Sequence, residues 1–274
     1  MCPILTFTVG NQMFHIQAYT LFTVLGALAG MITALFFLKR EGLPFPLSLR
    51  LLALMAAAFL VGARVFNYAV NPDAYGSTLH IYSFKLAGLS LYGGVLGALT
   101  SFLIWVRLHR RSPLPLLDAL VLPSAFAFAL ARVGCYLNGC CSGKATQSFL
   151  GVVFPVSDSE KKLTGILALL GKTSVAVYPT QLFEMSLALI GLVPLMWLYF
   201  RKKPRAGTVF LLYGIWFTAM RWAILPLRNL PYTEFVTGVW LPVLYGGLIS
   251  AGLLFGGYMS GSHLRSIMKR KGNG

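Results

Sequence analysis

Seven stretches of the chain are nearly unbroken apolar runs, and charged residues gather between them. The runs cover about 18–38, 50–71, 87–106, 115–136, 181–200, 207–226 and 237–259. A helix needs roughly 20 apolar residues to cross a bilayer. The pattern therefore predicts an all-α polytopic membrane protein with about seven transmembrane helices, built as one integral membrane domain over 1–274. A soluble fold would need several unrelated helices, each apolar on every face. The longest connection, 137–180, contains "SDSEKKLTG" and "GKTSVAVYP". It is too polar to span and long enough for a small subdomain of its own. The first 17 residues, with "LTFTVGNQMFHIQAY", predict a short interfacial hairpin or helix. No fixed-period repeat and no low-complexity tract interrupts this order.

Composition supports the same class. The chain is 57% apolar and 11% charged, where a soluble domain carries about 25% charged residues. The net charge of +16 would suggest nucleic acid in a soluble protein. Here topology explains it, and no nucleic-acid partner is expected. Lys39, Arg40 and Arg50 follow the first run; Arg107, Arg110 and Arg111 follow the third. Arg201, Lys202, Lys203 and Arg205 follow the fifth, and Arg265, Lys269, Arg270 and Lys271 lie in the tail. Basic loops stay in the cytoplasm, so the N-terminus is expected outside and the C-terminus inside. The connection 137–180 then falls outside. No cleavable signal peptide is expected, because no Lys or Arg precedes Lys39.

Four arginines break the apolar runs or stand at their ends: Arg64 in "VGARVFNY", Arg132 in "ALARVGCYLNG", Arg221 in "FTAMRWAIL" and Arg228 in "LPLRNLP". An Arg at mid-membrane costs about 2.5–3.5 kcal/mol on insertion scales. One such residue is readily explained by snorkelling to the headgroups. Four at the same external end are not. Of the acidic residues only Glu184 and Asp118 lie in or beside spans, and Asp118 belongs to the cytoplasmic end. An external anion is the economical counter-charge, and the abundant one in a membrane is lipid phosphate, which the planar guanidinium fork binds well. Tyr92 precedes Gly93 and Gly94 in "LYGGVLGAL", where small residues admit either a helix or a lipid. Gln181 and Glu184 in "YPTQLFE" share a helix face. Tyr19 opens the first span, a usual place for an interfacial anchor.

These stretches, in this order, resemble the prolipoprotein diacylglyceryl transferase family. "ARVGCYLNGCCSG" is similar to its signature, with Arg132, Gly134, Asn138, Gly139 and Gly143 on matching positions. Arg64 matches a Gly-Gly-Arg stretch, and Pro179, Gln181, Leu182 and Glu184 match a His-Pro-x-Gln-Leu-Tyr-Glu stretch. Arg221 and Arg228 match the arginines of Arg-x-x-x-Glu-x-x-Arg. The resemblance implies an enzyme of the bacterial cytoplasmic (inner) membrane. It would move diacylglyceryl from phosphatidylglycerol to the lipobox cysteine of prolipoprotein signal peptides and release glycerol phosphate. It implies catalytic roles for Arg132, Arg221 and Tyr92. Substrate binding would fall to Tyr19, Arg64, Gly93, Gly94, Asn138, Gly143, Gln181, Glu184 and Arg228.

The departures are informative. The family's histidine before Gly-Gly is Tyr92 here, and the histidine of His-Pro-x-Gln is Tyr178. The signature's first Asn is Cys135 and its Glu is Cys140; Leu225 replaces the Glu between the last arginines. A homologue that binds anionic phospholipid, or serves a different acceptor, is the alternative. A thiol redox protein is a further rival, though Cys140 and Cys141 are adjacent and not a C-x-x-C pair. The four histidines show no ligand spacing, so neither metal nor cofactor is expected. The cysteines read as small thiols in place of polar residues.

Overall fold

A computed structural model describes residues 4–9, 12–70, 89–154, 176–202, 204–230 and 234–272. The N-terminal segment is an antiparallel hairpin, β1 (Ile4–Val9) with β2 (Gln12–Gln17), paired from Ile4 opposite Gln17 to Val9 opposite Gln12. Of the two forms expected there, the hairpin is the one adopted. Helices follow: α1 (Ala18–Arg40), α2 (Phe45–Val70), α3 (Leu91–Leu108), α4 (Pro113–Asn138), α5 (Thr180–Trp197), α6 (Thr208–Ile224) and α7 (Leu241–Gly272). With the π-type and 3-10 turns that extend α5, α6 and α7, all seven are long and apolar enough to cross a membrane. Each expected span has its helix. The largest difference is the end of α7, which runs on to Gly272 rather than about 259; α2 also starts early, at Phe45 rather than about 50. Pro46 suits a first helical turn, so the helix begins before the apolar run does.

Helix ends are set by local chemistry. After α1, Gly42 takes φ +75°; its N–H reaches Lys39 O and the N–H of Leu43 reaches Leu38 O. This paired closure satisfies carbonyls that the helix leaves open. The same closure ends α4 at Gly139 (φ +75°), with Gly139 N to Tyr136 O and Cys140 N to Cys135 O. It also ends α3, but there Arg110 holds the left-handed position at φ +50°. Lys39 and Arg40 in the last turn of α1, and Arg107 in that of α3, complement the helix dipole.

Two compact units make up the chain, Met1–Gly30 with Val121–Gly274, and Met31–Leu120. In the second, α2 and α3 are tightly paired. A side chain at Gly62 would meet the backbone of Gly93, and one at Gly97 the carbonyl of Ala58. In the first, α1 and α4 approach closely where Gly26 and Gly30 face Ala127 and where Gly134 faces Phe22 and the backbone of Ala18 and Tyr19. Ala188, Met220 and Ile224 are buried with Phe128, Phe183, Leu187 and Phe217 packed against them. That cluster joins α4, α5 and α6 just below the site. Of the connection 137–180, residues 155–175 lie outside the described part. The remainder is stitched by isolated bridges, Gly143 to Arg228 and Val177 to both Ala145 and Val152.

Candidate functional site

One helical turn beyond the apolar cluster, the same three helices turn polar. Glu184 lies one turn before Ala188 on α5 and is 1% exposed. Its Oε2 is 2.7 Å from Nε of Arg132 on α4. Its Oε1 accepts from Nη1 of Arg221 at 2.5 Å and from Nη1 of Arg228 at 2.9 Å. The arginine side chains are themselves about a tenth exposed. Arg132 also lies over the Phe128 ring, 4.8 Å from its centroid, so the apolar layer holds the guanidinium from below. Three guanidiniums against one carboxylate leave two units of positive charge that Glu184 does not neutralise. Low polarity around them magnifies their field. Burial, then the neighbouring charge of Arg221, lowers the Arg228 pKa; it remains a cation at neutral pH.

The segment after α4 is clamped onto this cluster. Gly143 N–H donates to Tyr178 O and Tyr178 N–H to Lys144 O, while Lys144 N–H donates to Leu227 O. Gln181 Nε2 donates to Cys140 O at 2.7 Å, and Thr180 Oγ1 to Cys141 O at 3.0 Å. A side chain at Gly143 would collide with Leu227 O, Tyr178 and Thr180, so only glycine lets the three strands of chain meet. Gln181 is 1% exposed, and its Oε1 has no hydrogen-bond partner among the described residues. Asn138 is half-buried at the end of α4. Tyr19 is half-buried at the start of α1, where it backs Gly134.

Cys135, Cys140 and Cys141 converge, their Sγ atoms all within 4.8 Å of one another. Cys135 is buried, Cys140 intermediate and Cys141 exposed. Arg132 Nη1 is 4.0 Å from Cys135 Sγ. The convergence depends on Cys141, which takes a left-handed φ of +62°. Such a conformation costs a residue with a side chain about 1–3 kcal/mol. Hydrogen bonds from Cys135 and Cys140, and after them the charges of Arg132 and Arg228, pull the Cys141 thiol well below the ordinary range.

A cleft of about 800 Å³ opens beside Arg228. Lys144, Asn229 and Glu234 supply its polar lining, and Trp222, Pro226 and Pro242 are among its apolar walls. Lys144 was not anticipated from sequence; it reads there as an ordinary loop lysine.

The other expected site residues, Arg64, Tyr92, Gly93 and Gly94, belong to the 31–120 unit. Arg64 is buried on α2, 8% exposed, and Tyr92 is half-buried in the first turn of α3. Gly93 and Gly94 serve the pairing of α2 with α3: side chains there would strike Phe66 and Phe59.

The sequence profile of the family described as prolipoprotein diacylglyceryl transferase matches residues 5–266. The phosphatidylglycerol–prolipoprotein diacylglyceryl transferase of Bifidobacterium adolescentis is 29% identical over 235 residues, 81% of this chain and 68% of that protein. Its namesake from Clostridium tetani is 30% identical over 144 residues, 53% of each chain. A second clostridial protein, from Clostridium perfringens, is 31% identical over 144 residues, 53% of this chain and 52% of its own. The match thus spans about two thirds of the first relative and about half of the other two. With seven helices able to span among the described residues and a family profile covering nearly its whole length, this integral multi-pass membrane protein belongs to the prolipoprotein diacylglyceryl transferase family.

Proposed function

We propose that this protein transfers the diacylglyceryl group of phosphatidylglycerol to the thiol of a lipobox cysteine in a prolipoprotein signal peptide, releasing glycerol phosphate, at the outer face of a bacterial inner membrane. The observation that carries this reading is the gathering of Arg132, Arg221 and Arg228 on the single buried carboxylate of Glu184. The acceptor sulfur attacks the headgroup-side carbon of the diacylglycerol unit. The carbon–oxygen bond breaks, and its electron pair leaves with the phosphate oxygen. Charge builds on the departing phosphate, and the positive charge of the arginine cluster, which Glu184 offsets only in part, stabilises it without reorganising. Glu184 holds the guanidiniums at fixed positions before the lipid arrives, so their ordering cost is met on folding. The cleft beside Arg228 and Lys144 suits an anionic headgroup with apolar tails alongside. Gln181 and Asn138 are assigned to the headgroup glycerol, and Tyr19 and Gly143 shape the space around these groups. The family resemblance carries roles in the same reaction to Arg64, Tyr92, Gly93 and Gly94 of the 31–120 unit.

The test is direct. The purified full chain is given phosphatidylglycerol labelled in its diacylglyceryl part and a lipobox peptide. Label should move to the peptide, and a peptide with Ser for the lipobox cysteine should receive none. A second reading is favoured by tyrosine at 92 and 178, where the family carries histidine: the protein binds anionic phospholipid, or lipidates another acceptor. Tight binding of phosphatidylglycerol with no transfer to the cysteine peptide would establish that reading and overturn the first.

A further inference from the structure

The geometry points to a zinc site in which Cys135, Cys140 and Cys141 are the three protein ligands and the fourth position takes the acceptor's thiolate. Thiolates on a tetrahedral zinc, with bonds of about 2.3 Å, stand about 3.8 Å apart. The three Sγ atoms already lie within 4.8 Å of one another, so small side-chain adjustments close the site. Among the described residues no fourth Cys, His, Asp or Glu joins the group. Structural zinc is enclosed by four protein ligands, whereas three with an open position mark a zinc that works on a substrate. Soft thiolate donors exclude magnesium and calcium.

The surroundings are built for ligands. The Cys140 and Cys141 carbonyls are held by Gln181 Nε2 at 2.7 Å and Thr180 Oγ1 at 3.0 Å, both side chains 1% exposed. Outer contacts of this kind orient metal ligands and tune them. Cys141 keeps a left-handed backbone at φ +62° that nothing in the helix ending requires, since Gly139 already closes α4. Three thiolates and a divalent cation carry one negative charge, and the Arg132 guanidinium 4.0 Å from Cys135 Sγ offsets it.

The chemistry answers a need left by the proposed reaction, on which this inference rests for its substrate. That reaction uses a thiolate, while a free thiol is mostly protonated at neutral pH. Metal coordination deprotonates a thiol outright. The acceptor's S–H proton goes to solvent as its sulfur joins the zinc. That sulfur's lone pair then forms the S–C bond, and the C–O bond breaks toward the phosphate held by the arginines. Zinc keeps its charge throughout, so no oxidant or reductant enters.

The test uses the full chain in detergent, without a histidine tag. Metal content is measured as isolated, then cobalt is introduced after chelation as a spectroscopic stand-in for zinc. One zinc per chain is expected, and cobalt should show sulfur-to-metal charge transfer with a four-coordinate visible spectrum. Cys135→Ser, Cys140→Ser and Cys141→Ser should each weaken cobalt binding by more than the about 10–100-fold typical of losing an outer contact; Cys2→Ser should not. A lipobox peptide, added without phospholipid, should shift the cobalt spectrum, and its Ser counterpart should not. Absence of zinc and cobalt binding by the wild type overturns the inference, as do a disulfide within the trio or preference for copper(I). An unchanged spectrum with the cysteine peptide overturns the open position. Transfer that proceeds in metal-free protein sinks the inference and leaves the proposed function standing. A thiolate-bound cobalt that takes the peptide, without lipid transfer, does the reverse.

Discussion

At Glu184 one carboxylate meets guanidiniums from three stretches of chain: Arg132 near the end of α4, Arg221 in the last turn of α6, and Arg228 just beyond it. Removing one partner of a buried ion cluster typically costs about 3–5 kcal/mol, because the remaining charges stay buried without compensation. Glu184→Gln should therefore destabilise the protein by about 3–5 kcal/mol in detergent-unfolding titrations, and inorganic phosphate should restore part of the loss. Unchanged stability would mean that the arginines reach water without the carboxylate. The sequence showed the excess of arginine over intramembrane acid. It did not show that one carboxylate serves three guanidiniums, because that depends on how α4, α5 and α6 pack. Arg132→Lys tests the other side of the same cluster. Lysine keeps the charge but loses the fork that reaches Glu184 from Nε while presenting Nη1 toward Cys135. It should lower lipid transfer well beyond its effect on unfolding, read by comparing turnover with midpoint.

At the scale of elements, apolar runs gave all seven helices, because a bilayer demands length and apolarity over a continuous stretch. They could not place ends that Pro46 and the closures at Gly42, Arg110 and Gly139 decide. The convergence of the cysteine trio was not legible for a related reason. Along the chain Cys140 and Cys141 are neighbours and Cys135 is five residues back, a spacing that suggests nothing. Gly139 at φ +75° and Cys141 at φ +62° fold the chain back on α4 and bring the sulfurs together. Gly139→Ala should cost about 1–2 kcal/mol from the left-handed conformation, since its Cβ would also stand 3.2 Å from Phe154. Altered reactivity of the trio toward a thiol reagent should accompany the loss. Arg110→Gly is the opposite case. Its Arg already pays the left-handed strain, so glycine there should stabilise by up to about 1 kcal/mol in the same titration. A loss at Arg110→Gly equal to that at Gly139→Ala would show that backbone conformation is not what either position controls.

Across the whole molecule, the +16 charge becomes legible once divided by loops, and it makes a claim about orientation. α4 is 26 residues long, or about 39 Å at 1.5 Å per residue. Its two ends therefore belong to opposite faces of a bilayer that it crosses. Arg107, Arg110 and Arg111 precede its start, while the cysteine segment and the clamp on Tyr178 and Leu227 follow its end. On the proposed function the basic end faces the cytoplasm, as the positive-inside rule expects, and the site faces outside, where an exported precursor would present its cysteine. Exposed positions serve the test. Phe149, 93% exposed, lies after α4, and Arg111, also exposed, lies before it. Phe149→Cys should react with a membrane-impermeant maleimide in intact spheroplasts, above the labelling of the parent chain. Arg111→Cys should react only after the membrane is opened. The reversed pattern would put the arginine cluster on the cytoplasmic face and remove exported precursors as the acceptor. Labelling of both positions from one side would mean that α4 does not cross.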